Sequence, residues 1–229
     1  MLVRGFPAGS WQTNCYVVAP GPGEQCVIVD PGQDSVRGID DIVAEYRLHP
    51  VAVLLTHGHI DHVWSVAPVC GARDVPAYIH PADRFMLTDP GRAIGMPPGG
   101  RPFGIEFTEP SDVIELTGSD EIALAGLELH VDSAPGHTPG SVTFRLGDAV
   151  FFSGDLIFQG TIGRTDFPGG SYDAILDSLA RVVLPLPDEL PILSGHGDPT
   201  TVGAERATNP FLREAADRAG LPAAKGRGL

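Results

Sequence analysis

The chain is 229 residues long, 42% hydrophobic and 19% charged, with a formal net charge of −14. That length fits one large domain over 1–229, with enough apolar residues for a substantial core. One lysine, Lys225, stands against fourteen arginines, which excludes a protein that tracks nucleic-acid phosphates through a basic patch and favours a small-molecule substrate.

The cysteines, Cys15, Cys26 and Cys70, are odd in number and lack CxxC spacing, so neither a disulfide framework nor a cysteine-zinc site is expected. Residues 1–14 lack the basic start, apolar stretch and cleavage pattern of a signal peptide. No apolar run approaches the ~20 residues that span a bilayer. A cytoplasmic protein with no membrane partner is expected, and the oligomeric state stays open.

Residues 15–19 and 26–30 read as strands, separated by the turn Pro20-Gly21-Pro22-Gly23. Ile39, Ile42, Val43 and Tyr46 recur at helical spacing with acidic residues between them and predict an amphipathic helix. Val51-Ala52-Val53-Leu54-Leu55 predicts a buried strand, 63–69 a helix and 76–79 a short strand. Residues 89–110, centred on Met96-Pro97-Pro98-Gly99-Gly100, read as an irregular surface loop of a kind that is often functional. Short strands follow at 122–124, 127–131, 142–146 and 150–152. Ile175, Leu176, Leu179 and Val183 predict a second amphipathic helix with Ser171 as its N-cap. A last buried strand is expected at 191–194, then a short helix at 210–219 and a polar tail. Strands in both halves with helices between them predict an α/β protein, two sheets face to face with helices outside.

The run Thr56-His57-Gly58-His59-Ile60-Asp61-His62 follows directly on the strand at 51–55 and places three of the eight histidines, with an aspartate, in six positions. Imidazole and carboxylate are the ligands that zinc and related metals prefer, so a strand ending in this cluster points to a metal site. Three further segments put a ligand-type residue just after an apolar run: Pro135-Gly136-His137-Thr138-Pro139-Gly140-Ser141, Phe151-Phe152-Ser153-Gly154-Asp155, and Ile192-Leu193-Ser194-Gly195-His196-Gly197-Asp198. The glycines let the backbone turn tightly near a shared centre. Five histidines and two aspartates are too many for one tetrahedral zinc and suit two metals that share a carboxylate.

The ordered motifs THGHIDH, PGHTPGS, SGDLIF and SGHGDP, spread over nearly the whole chain, resemble the metallo-β-lactamase superfamily. The resemblance implies a four-layer αβ/βα sandwich with His57, His59 and His137 on one divalent ion, Asp61, His62 and His196 on a second, and Asp155 bridging both. Zinc is the expected metal, with iron and manganese also compatible. Gly163-Arg164-Thr165-Asp166-Phe167-Pro168-Gly169-Gly170, Glu205-Arg206 and Asn209-Pro210-Phe211-Leu212 resemble the short branch of the glyoxalase II-like hydroxyacylglutathione hydrolases. The C-terminal glutathione-binding helical domain of the longer enzymes is not expected here.

The activity implied is hydrolysis of a thioester such as S-lactoylglutathione by a metal-bound hydroxide, with Asp61 and Asp155 as the catalytic carboxylates. Arg164 has two readings, an ion pair with Asp166 or a contact to a substrate carboxylate. His49, His80 and His130 lie outside the motifs and are expected to be structural. Trp11 and Trp64 are expected to pack in the core or at the rim. A mononuclear iron persulfide dioxygenase using His57, His137 and Asp155 is the alternative function. Lactonase or β-lactamase activity and a purely structural metal protein are weaker ones.

Overall fold

The computed structural model describes residues 1–221; Lys225 and the rest of the expected polar tail lie outside them. The first sheet runs in chain order: β1 (Leu2–Ala8), β2 (Thr13–Ala19), β3 (Gln25–Val29), β4 (His49–Leu54), β5 (Ala77–Ile79) and β6 (Val113–Glu115). Its first three strands are antiparallel and β3 to β6 are parallel. The second sheet holds β7 (Ser119–Leu124), β8 (Leu127–Ser133), β9 (Val142–Leu146), β10 (Val150–Gly154), β11 (Pro191–Ser194) and β12 (Thr200–Thr201), in the order β12-β11-β10-β9-β8-β7. Among these, β10 and β11 are the parallel pair. The helices begin with α1 (Val36–Tyr46) and, after the single-turn α2 (Ile60–Val63), α3 (Val66–Arg73). Short α4 (Pro81–Arg84) and α5 (Pro90–Ala93) follow, then α6 (Tyr172–Ser178), α7 (Val202–Thr208) and α8 (Pro210–Arg218).

Side chains alternate across a strand, and here the two faces of each central strand enter different cores. Cys15, Val17, Ile28, Val53 and Leu55 pack outward on Ile39 of α1 and Val66, Val69 and Cys70 of α3. Tyr16, Val18, Val27, Ala52 and Leu54 face inward and meet Leu129, Val131, Phe144 and Phe152 of the second sheet. Phe151 and Ile192 turn to the far side, against Ile175, Leu176, Leu179, Leu212 and Ala215. Three apolar layers between helix, sheet, sheet and helix make the αβ/βα sandwich that the motifs implied.

Most predicted elements recur with shifted ends, and Ser171 caps α6 by accepting from the Ala174 amide at 3.2 Å. Three differences have physical causes. Residues 2–8 form a strand that Gly5 and Pro7 conceal in the sequence; as an edge strand it tolerates proline, and β2 sets its register from Leu2↔Ala19 to Ala8↔Thr13. The helix at 63–69 is split at Trp64–Ser65. Pro68 would clash with the carbonyl four residues earlier, that of Trp64, so the helix restarts with the proline in its first turn. The loop at 89–110 contains α5 and a 3₁₀ turn at Pro102–Gly104. No helix of the described residues is long and apolar enough to cross a membrane.

Candidate metal centre

The ligand-type residues predicted from sequence converge at one edge of the sandwich. His57 and His59 lie in the turn after β4, Asp61 and His62 in α2, His137 in the turn between β8 and β9, and Asp155 and His196 just past β10 and β11. The amide of Val142 donates to the carbonyl of Thr56 at 2.8 Å and joins the two sheets at this edge. Gly154 takes φ +50°, a left-handed turn that glycine adopts without strain, and so delivers Asp155 from the end of β10. A Cβ on Gly195 would lie 2.2 Å from Asp155 Oδ1, so only glycine lets the His196 turn approach this closely.

Three groups of side chains here could hold a metal ion: His57, His59 and His137; His57, His62 and Asp155; and Asp61, His62 and His196. His137 Nε2 stands 3.2 Å from His57 Nε2 and 2.8 Å from His59 Nδ1. Asp61 Oδ2 stands 3.1 Å from His196 Nε2 and 3.5 Å from His62 Nε2. Asp155 faces both ways, with Oδ1 3.3 Å from His62 Nε2 and Oδ2 3.4 Å from His137 Nε2. Two donors ~2.1 Å from one tetrahedral ion stand about 3.4 Å apart, so these spacings suit shared cations. His62 Nε2 and Asp155 Oδ1 are buried with no hydrogen-bond partner, a costly state that a cation relieves. The His/Asp clusters fit a divalent metal site.

The outward nitrogens of three imidazoles are tied down. His62 Nδ1 donates to Asp30 Oδ2 at 3.0 Å. Thr56 Oγ1 donates to the same oxygen at 2.6 Å and takes the Nδ1 hydrogen of His57 at 3.1 Å. His137 Nδ1 donates to the Arg164 carbonyl at 2.7 Å. Each bond orients its ring and, in the neutral imidazole, fixes the tautomer that leaves Nε2 free to ligate. Asp83, fully buried, accepts from the Gly58 amide, the Gly140 amide and the Thr138 hydroxyl at 3.0, 2.8 and 2.6 Å. It ties the His57–His59 turn to the His137 turn.

Charge is divided across the cluster. Burial, then the neighbouring imidazoles, pushes His57 well below the usual histidine range, and burial followed by His137 lowers His59 to about 3. Both are therefore neutral and ready to ligate at neutral pH. Burial also opposes a charged His62, but Asp61, Asp155 and Asp30 overcome it and raise that imidazole well above its ordinary value. Burial raises the Asp61 carboxyl, yet His62 and His196 outweigh it and hold the group ionised.

A cleft of about 620 Å³ opens over this centre, lined by ligand-type residues and by Trp11, Ile94, Phe103, Phe158, Arg164 and Phe167. Arg164 forms a two-pronged pair with Asp166, at 2.7 and 2.8 Å, and lies 3.7 Å over the Phe167 ring. Trp64 packs against Trp11, which lines the cleft itself. His80 accepts from the Ala82 amide at the start of α4 and His130 sits between Glu121 and Asp132, both outside the centre. Sequence reasoning passed over Asp30, Thr56, Asp83 and Phe103. Asp30 carried a usable signal, since like Asp155 it is a carboxylate at the end of an apolar strand; Asp83 carried none.

A family model of the metallo-β-lactamase superfamily matches residues 8–196. Hydroxyacylglutathione hydrolase GloC of Haemophilus influenzae is 34% identical over 217 residues, covering 93% of this chain and 98% of that protein. The crystal structure of the BLEG-1 B3 metallo-β-lactamase superposes with a TM-score of 0.83 at 38% identity, over 92% of this chain and 99% of that one. TTHA1623, solved in a di-iron-bound form, gives 0.74 at 38% identity, over 89% and 96%. The chain belongs to the metallo-β-lactamase superfamily.

Proposed function

We propose that this protein is a metal-dependent hydrolase that cleaves a thioester, of the type represented by S-lactoylglutathione. The carrying observation is Asp155, whose two oxygens face two ligand sets at the base of one cleft. In this reading His57, His59 and His137 hold one ion, Asp61, His62 and His196 the other, and Asp155 both. Zinc suits these donors; iron suits them too, and the di-iron form of TTHA1623 keeps it in view. When bound, the ion pair supplies a water that ionises near neutral pH and a Lewis acid for the carbonyl.

The chain does the rest. Thr13 Oγ1 donates to Asp61 Oδ2 at 3.1 Å and fixes that carboxylate where it would orient the attacking nucleophile. The aromatic walls limit water around the scissile bond, which strengthens the electrostatics of the site. The departing thiolate, with a solution pKa of ~8.5, needs little help from an acid, in keeping with a cleft whose titratable residues are chiefly the ligand set. The 34% identity to GloC supports this reading. The 38% identity to BLEG-1 favours a second one, β-lactam hydrolysis.

The test is metal content of the purified protein beside three assays: S-lactoylglutathione hydrolysis, turnover of a chromogenic cephalosporin, and oxygen uptake on glutathione persulfide. Two ions per chain with thioester turnover, both lost in Asp155→Ala, is the expected result. Oxygen uptake with one iron per chain would establish a persulfide dioxygenase instead. Full hydrolysis by a variant retaining no metal would sink the mechanism.

A further inference from the structure

The cleft over the metal centre is walled by rings. Trp11, Trp64 and Phe103 come from three separate segments and touch one another, with centroid separations of 5.6 Å (Trp11–Trp64), 5.5 Å (Trp11–Phe103) and 5.6 Å (Trp64–Phe103). Trp11 and Phe103 line the cleft. Phe103 is 69% exposed and has φ +55°, a backbone region that strains a bulky side chain. Strain of this kind persists where the surroundings enforce it and gathers at ligand clamps. Here it keeps a solvent-facing ring against Trp11 at the mouth of the cleft.

Charge recognition is poorly served by comparison. Among the described residues lining the cleft Arg164 is the one arginine or lysine, and Asp166 takes its Nε and Nη2 edge while Phe167 lies under its plane. A tripeptide thiol with two carboxylates would find a single guanidinium there, already paired along one edge. An uncharged ring or branched alkyl group would gain contact with flat aromatic surface.

We infer that the cleft selects thioesters chiefly by an apolar aryl or branched-alkyl group seated against Trp11 and Phe103, more than by the charge of the carrier. This rests on the hydrolase reading and names its substrate class. Both tryptophans of the chain belong to the ring cluster, so intrinsic fluorescence reports on it directly.

Two measurements on the metal-loaded full chain test the inference. Titration with the uncharged thioether S-benzyl-N-acetylcysteamine should change tryptophan emission saturably, and Phe103→Ala should weaken that binding about tenfold. An unsaturable response, or equal binding by the variant, overturns the inference. In steady state, kcat/KM for S-phenylacetyl-N-acetylcysteamine should exceed that for the S-acetyl compound by about tenfold or more. The ratio should collapse towards one in Phe103→Ala and in Trp11→Ala. Faster turnover of S-lactoylglutathione than of the phenylacetyl thioester overturns the inference and leaves the hydrolase reading standing. No turnover of any thioester overturns the hydrolase reading and this substrate class with it.

Discussion

Asp30 and Asp83 stand outside the proposed ligand set, yet they determine how its imidazoles are presented. Asp30 sets one tautomer directly, at His62, and a second through Thr56, at His57. Its φ of +48° is a left-handed conformation that aspartate tolerates better than most residues. Asp83 acts on backbone instead, accepting from two amides and one hydroxyl on the two histidine turns. In Asp83→Asn the new amide would set donors against those donors. We expect metal affinity to fall about 10–100-fold while the far-UV circular dichroism is kept, as read by titration against a chromogenic chelator. Unchanged affinity would reduce Asp83 to a packing role. At this scale the ligand-type residues were legible because metal chemistry restricts residue type. Of the supports, Asp30 left a trace at the end of its strand, but Asp83 did not, because a buried aspartate that braces a turn has the same local sequence as one that caps a helix.

At the scale of elements, the site is a set of strand ends brought to one edge, and the closeness of the ends decides the chemistry. Gly195 is the tightest crossing: an added Cβ would meet Asp155 Oδ1 at 2.2 Å and His62 Cε1 at 2.7 Å. Gly195→Ala should therefore cost the ion proposed for Asp61, His62 and His196, giving one ion per chain or fewer by elemental analysis. Two retained ions would show that the His196 turn can back away. The strand cores were readable from alternation, as at residues 15–19, where Cys15 and Val17 face α1 and α3 while Tyr16 and Val18 face the other sheet. β1 was not, because Gly5 and Pro7 interrupt its pattern and its pairing partner, β2, supplies the order. Nor was the break at Trp64–Ser65, where apolar spacing continues past a position at which Pro68 forbids helix.

The molecule as a whole links its packing to proton binding. Burial pushes the Cys26 and Cys70 thiols from an ordinary 9.0 up to about 12, and burial with Asp30 drives Cys15 well above its own. A thiol that ionises less readily when folded leaves stability intact below the unfolded value and removes it as pH rises towards the folded one. The urea midpoint should therefore be level at pH 7–8 and fall from about pH 9 upward. At pH 8 iodoacetamide should modify none of the three buried cysteines until denaturant is added; prompt native labelling would show that a thiol is accessible. Chelation should act independently of this. An ion that binds only the folded chain adds ~2.7 kcal/mol at one hundred times its dissociation constant, so EDTA should lower Tm and added zinc should restore it.

Sequence alone determined the family resemblance, the apolar alternation of the central strands and the identity of the ligand-type residues, because each is a local pattern of residue types. It also placed Arg164 beside Asp166, the two-residue spacing across which they pair. Only the tertiary structure decided which nitrogen of His57, His62 and His137 is committed, how Asp155 divides its oxygens, and that Trp11, Trp64 and Phe103 meet beside the cleft. These depend on contacts between segments as far apart as Trp11 and Phe103, or His57 and His137, which no local pattern encodes. The distances between strand ends, set by how two twisted sheets pack, turn a list of histidines and aspartates into a centre.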